Sequence, residues 1–89
     1  MKQITLNGKK MTDIESAHNY IASKLGFPDY YGKNLDALAD CVSEFCLDKY
    51  IRFSHYGEAK KNLGEYAERL VEVFSDIADE NPAIRFKKL

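Results

Sequence analysis

The sequence predicts an α/β fold, a three-stranded parallel sheet packed against helices in the order β-α-α-β-α-α-β. Three observations predict it. Short stretches of alternating apolar and polar residues stand at the beginning, middle and end of the chain. Each interval between them carries two segments with apolar residues at helical spacing. Strands separated by helices are joined by right-handed crossovers, which make them parallel. With 89 residues there is room for one hydrophobic core, so residues 1–89 form a single domain of modest stability.

The first strand is Lys2 to Leu6, with Ile4 and Leu6 on one side and Gln3 and Thr5 on the other. Asn7-Gly8 is a turn signal that suits a hairpin, although Lys9-Lys10-Met11 is a short and polar return strand. Thr12 followed by Glu15 forms a capping box. It opens a helix whose apolar stripe is Ile14, Ala17, His18, Ile21 and Leu25, ended by Gly26 and Pro28. Pro28 to Lys33 is irregular and rich in tyrosine. Asn34 caps a second helix with the stripe Leu35, Leu38, Cys41 or Val42, and Phe45. Tyr50 to Phe53 reads as the middle strand. Ser54 starts a short helix that stops at Gly64, and a longer one carries Tyr66, Leu70, Val73, Phe74 and Ile77 up to Asn81-Pro82. Ala83 to Leu89 alternates again, as the last strand.

Composition excludes several function classes. At 45% hydrophobic and net charge −1 the chain is neither disordered nor a polyion, so any electrostatic function depends on where the charges sit. No apolar run resembles a secretion signal or a membrane span. Cys41 and Cys46, five apart on one helix, are poorly placed for a disulfide and read as reduced and structural. Together these features predict a cytoplasmic protein. His18 on an apolar stripe and His55 at a helix start read as structural histidines, because neither neighbours a nucleophile. No metal-ligand spacing and no glycine-rich phosphate loop occurs, so the sequence predicts neither enzymatic activity nor a cofactor. The doublets Lys9-Lys10, Lys60-Lys61 and Lys87-Lys88 lie on separate elements and are matched by acids, which suits a solvated surface better than a nucleic-acid site.

The second helix stands apart. Asp36 and Asp40 are at i and i+4, on one face about 6 Å apart along the axis. Glu44 extends the stripe and Asp29 precedes it, with Lys33 offering Asp36 the only local relief. Like charges at this spacing destabilise a helix by a few tenths of a kcal/mol. A solvated face, paired catalytic carboxylates, a Mg²⁺ site and an anionic docking surface are all compatible with the pattern. A convex helix supplies no dry cleft for the catalytic and metal readings. Tyr30 and Tyr31 beside the stripe, of the type enriched at interface hot spots, favour docking to a cationic partner.

The stretch Pro28-Asp29-Tyr30-Tyr31-Gly32-Lys33-Asn34-Leu35-Asp36-Ala37-Leu38, followed by Asp40-Cys41, closely resembles the signature of the barstar family, intracellular inhibitors of secreted bacterial ribonucleases. Weaker likeness covers almost the whole chain, with Asn7-Gly8, His18 and Val73-Phe74 at matching places. The resemblance implies no catalysis, no cofactor and no metal. It implies instead a protein that is monomeric when free and binds 1:1 over the active site of a basic, secreted-type ribonuclease, without contacting nucleic acid or membrane. The acidic helix would stand in for the phosphates of RNA. By resemblance, Asp40 enters the phosphate site among arginines and the catalytic histidine, and Asp36 pairs with another basic group. Tyr30 packs on the catalytic histidine, Asn34 and Gly32 hydrogen-bond at the rim, Ser43 lies nearer the rim, and Asp76 falls where the family has a glutamate.

Some positions depart from the family. Ala39 stands where it has tryptophan, Glu44 where it has glycine, and the proline before the second strand is missing. None of these touches Asp40, but they bear on which partner is recognised. A regulatory or assembly module using the same acidic face on a non-nuclease protein is the alternative reading.

Overall fold

A computed structural model describes residues Met1–Leu89. Three strands, β1 (Lys2–Asn7), β2 (Lys49–Ser54) and β3 (Ile84–Lys88), form one parallel sheet in the order β1-β2-β3. Helices α1 (Ile14–Leu25) and α2 (Leu35–Phe45) connect β1 to β2, and α3 (Tyr56–Leu63) and α4 (Glu65–Glu80) connect β2 to β3. The α/β reading and the element order are as the sequence predicts.

Register explains the layering. Ile4 pairs with Ile51 and Ile51 with Phe86, while Leu6 pairs with Phe53, so one face of the sheet is apolar. The helices cover that face only. Leu6, Ile51, Phe53 and Ile84 are buried against Ile21 and Leu25 of α1, Leu38 and Val42 of α2, and Leu70, Phe74 and Ile77 of α4. Phe74 stacks on Phe86 with ring centroids 5.3 Å apart. Each such side chain removed from water contributes about 1.5–3 kcal/mol before entropy is counted.

Several local expectations are corrected. Asn7-Gly8 makes no hairpin. Asn7 Oδ1 accepts from Lys9 N at 3.0 Å and caps a 3₁₀ turn over Gly8–Lys10. Gly8 lies so close to the next crossover that a Cβ there would collide with the His55 carbonyl. The cap of α1 is Asp13 rather than Thr12: its Oδ1 accepts from Ser16 N at 2.8 Å, and Thr12 is left to bond the Ser16 hydroxyl. Ile14, the first residue of α1, is 46% exposed instead of lying in the core. Ser54 is the last residue of β2, its hydroxyl donating to the Leu6 carbonyl, and α3 begins after His55. Leu35, Phe45 and Val73 are half-buried rather than core. Both cysteines are free thiols in the core, with Cys46 at the C-cap of α2. Gly64, at φ +62, takes the backbone from α3 straight into α4.

Candidate functional site

The site grows from the turn between α1 and α2. Gly26 closes α1 in the left-handed conformation, and Tyr31 N donates to the Pro28 carbonyl at 3.0 Å, folding residues 28–31 into a turn. The two tyrosines of this turn part company. Tyr31 is 6% exposed and points inward, so it belongs to the core and not, as its type suggests, to an interface. Tyr30 is 80% exposed.

Tyr31 is held by a buried network. Its hydroxyl lies 2.6 Å from His18 Nδ1, and the Tyr66 hydroxyl of α4 lies 2.5 Å from His18 Nε2. Phe27 packs on the Tyr31 ring at 5.1 Å. A neutral imidazole donates from one nitrogen and accepts at the other, so one tyrosine donates to His18 and the other accepts. Burial holds the His18 pKa below its usual value and drives that of Tyr31 well above the usual phenol range. His18 is thus a structural histidine that joins α1, the turn and α4.

Lys33 then takes φ +53, a left-handed conformation uncommon for lysine, and swings the chain into α2. Asn34 caps the helix through Oδ1, which accepts from Ala37 N at 2.7 Å, while its Nδ2 donates to the Gly32 carbonyl at 3.3 Å. A Cβ at Gly32 would sit 3.3 Å from both Ala37 Cβ and Asn34 Nδ2, so the turn and helix are closely fitted there.

From this cap α2 presents Asp36, Asp40, Ser43 and Glu44 to solvent, with Ala39 half-buried among them. None of the three carboxylates has a cation within ion-pair distance, since the only salt bridge in the molecule joins Lys60 and Glu68. Lys33 therefore makes no ion pair with Asp36. The field of these groups registers on Cys41, whose thiol pKa is raised first by burial and then by the Glu44 and Asp40 carboxylates. Its sulfur is correspondingly a poor nucleophile.

Two hollows flank the helix. One runs between the turn and α2 and is lined by Tyr30, Tyr31, Gly32, Ala37, Asp40, Cys41 and Glu44. The other is lined by Asn34, Leu35, Asp36 and Tyr66. The tertiary structure thus brings Tyr30, Gly32, Asn34, Asp36, Asp40 and Glu44 to one region. It adds Tyr66, which the sequence pattern gives only as a core position of α4. Asp76 is exposed on α4 and lines neither hollow. No three His, Cys, Asp or Glu side chains converge as metal ligands would, and no helix is long and apolar enough to cross a membrane.

A chain of this fold, with an unneutralised acidic helix beside an exposed tyrosine, has the layout of a protein-binding module. The sequence matches the family described as Barstar (barnase inhibitor) over residues 1–88. It is 36% identical over 81 residues to a Bacillus subtilis (strain 168) protein named "Putative ribonuclease inhibitor YrdF", a match covering 90% of this chain and 89% of that one. The chain belongs to the barstar family.

Proposed function

We propose that this protein is a ribonuclease inhibitor that binds 1:1 over the basic active site of a secreted-type ribonuclease, with α2 acting as a mimic of RNA phosphates. One observation carries the reading: Asp36, Asp40 and Glu44 line one exposed helix face with no cation of the protein's own to neutralise them, beside the exposed Tyr30. An unpaired acidic stripe costs a free helix stability, and a cationic partner turns that cost into affinity. The hollow between Tyr30 and Asp40 suits a basic side chain, and Tyr30 offers a rigid aromatic face for a histidine of the enzyme. Asn34 and Gly32 form the rim, although the Asn34 side-chain oxygen is taken by the helix cap and one of its amide hydrogens by the Gly32 carbonyl, which leaves the second amide hydrogen to reach a partner. Ala39, Ser43 and Glu44 extend the contact along the helix, and Asp76 adds a contact at a separate point on α4.

The chain's own role is binding without turnover, in the cytoplasm, where it protects cellular RNA from a nuclease made for export. The test is titration of a basic microbial ribonuclease of the family's target type with the purified protein. Stoichiometric loss of RNA hydrolysis, abolished in Asp40→Ala, supports the reading. RNA hydrolysis by this chain itself, lost on mutating Asp36 or Asp40, overturns it. Capture of a non-nuclease partner through the same face, without nuclease inhibition, establishes the alternative module instead.

A further inference from the structure

The sheet has one face with no helix on it. The register places Gln3 and Thr5 of β1, Tyr50 and Arg52 of β2, and Arg85 and Lys87 of β3 together on that face. All are exposed or half-buried, and no acidic residue stands among them. Parallel sheets ordinarily have both faces covered, so a bare one is unusual. Tyr50 lies on the central strand and takes no part in the core. The Arg85 guanidinium lies 5.1 Å from its ring centroid. None of Arg52, Arg85 and Lys87 is ion-paired. Strand spacings of about 4.8 Å across and about 6.6 Å along put all three cations around the one aromatic ring.

The make-up of this face selects among occupants. Arg52, Arg85 and Lys87, unpaired and with no acid among them, call for an anionic occupant, and polar Gln3 and Thr5 leave no apolar patch beside them. A flat sheet has no element to enter the groove of a duplex. Single strands, by contrast, are bound on flat sheets where an aromatic ring stacks under a base and flanking cations take phosphates. We propose that this face binds single-stranded nucleic acid without sequence preference, Tyr50 stacking on a base and Arg52, Arg85 and Lys87 holding the phosphates. The expectation of no nucleic-acid contact rests on the separated lysine doublets and on the family resemblance, which concerns the acidic helix, whereas these cations are brought together only by strand pairing. The face lies on the side of the sheet away from α2, so this site is independent of the ribonuclease-binding reading.

The measurement is fluorescence anisotropy of labelled short oligo-U and oligo-dT strands titrated with the whole protein between about 20 and about 200 mM salt. Three phosphate contacts predict a slope of log K on log salt of about −2, a roughly hundredfold loss of affinity across that range. The triple variant Arg52→Gln, Arg85→Gln, Lys87→Gln should lose at least tenfold in affinity and most of the slope. Tyr50→Ala should weaken binding at an unchanged slope, and Tyr50→Phe should restore it. Thermal melts report whether each variant is folded, and Asp40→Ala should bind the strands as the wild type does. Oligo-U and oligo-dT binding alike leaves the shared phosphate and base contacts as the determinants, and a preference for oligo-U adds a 2′-hydroxyl contact. The proposal is overturned if no strand binds at low salt, if the triple variant binds undiminished, or if a duplex binds as well as a single strand. Salt-sensitive self-association seen by sedimentation, without strand binding, would assign the face to the acidic helix of a second copy and overturn it equally.

Discussion

His18 Nδ1 and the Tyr31 hydroxyl lie 2.6 Å apart, and this one hydrogen bond ties the first helix to the turn that presents Tyr30. The other imidazole nitrogen, bonded to Tyr66, ties the same point to the helix bordering Asp36. The candidate binding face is thus positioned from beneath by a neutral histidine.

Stability should fall as the medium becomes acidic through the histidine range. Burial depresses the His18 pKa in the folded state below its ordinary value of about 6.5. The unfolded chain therefore binds the proton first. The stabilisation is full above about pH 6.5 and is lost progressively as pH falls toward the lower folded value. Thermal melts between about pH 5 and 8 should show this slope. His18→Gln should flatten it, and an unchanged slope in that variant would place the titrating group elsewhere.

Tyr31→Phe should destabilise the fold by about 1–3 kcal/mol, because a buried imidazole nitrogen loses its partner. Tyr66→Phe should cost less, since Tyr66 is only half-buried and water can replace its hydroxyl. Urea unfolding of the two variants gives the comparison, and a larger loss for Tyr66→Phe would reverse the assigned importance of the two bonds.

Asp40→Ala should be the most damaging single change for inhibition while leaving thermal stability level or slightly higher. Its side chain is exposed, and removing it relieves repulsion with Asp36 and Glu44. In a complex the carboxylate would be desolvated among basic groups. Truncating one member of such a pair costs about 2–5 kcal/mol, a magnitude carried over from measured complexes, barstar's among them. Asp36→Ala should cost less, and Ser43→Ala less again. Inhibition constants for the three variants check the order.

Association with the ribonuclease should slow with salt more than dissociation quickens. Screening lengths contract from about 10 Å at 0.1 M to about 3 Å at 1 M, which weakens the approach and spares buried pairs. With a net charge of −1 the slope should be shallower than for a strongly acidic inhibitor. Stopped-flow association rates that stay flat across this range would argue against docking through the acidic helix.

Asn34→Ala should cost about 1 kcal/mol of stability through loss of the α2 cap. Asn34→Asp, which keeps the acceptor, should retain most of it. Equal losses in the two variants, read by thermal melting, would mean that the Gly32 bond through the Asn34 amide matters more than the cap.

By itself the sequence determined the parallel α/β order, because alternation at Ile4 to Leu6, Ile51 to Phe53 and Ile84 to Phe86 and helical spacing between them are set by backbone geometry alone. It also determined the acidic stripe of α2, since residues four apart on a helix share a face whatever surrounds it. Competition between neighbours was decided only in three dimensions. Asp13 displaced Thr12 as a cap because its carboxylate reaches the Ser16 amide. Of two adjacent tyrosines, Tyr31 went inward because His18, thirteen residues away, offered a buried partner, and Tyr30 was left in solvent. Tyr66 reached the site from α4 through a contact spanning 48 residues. The bare basic face likewise exists only once Tyr50 pairs with Arg85 and Arg52 with Lys87. Local pattern carries period and charge, but which polar groups meet depends on which side chains the packed helices leave within hydrogen-bond reach.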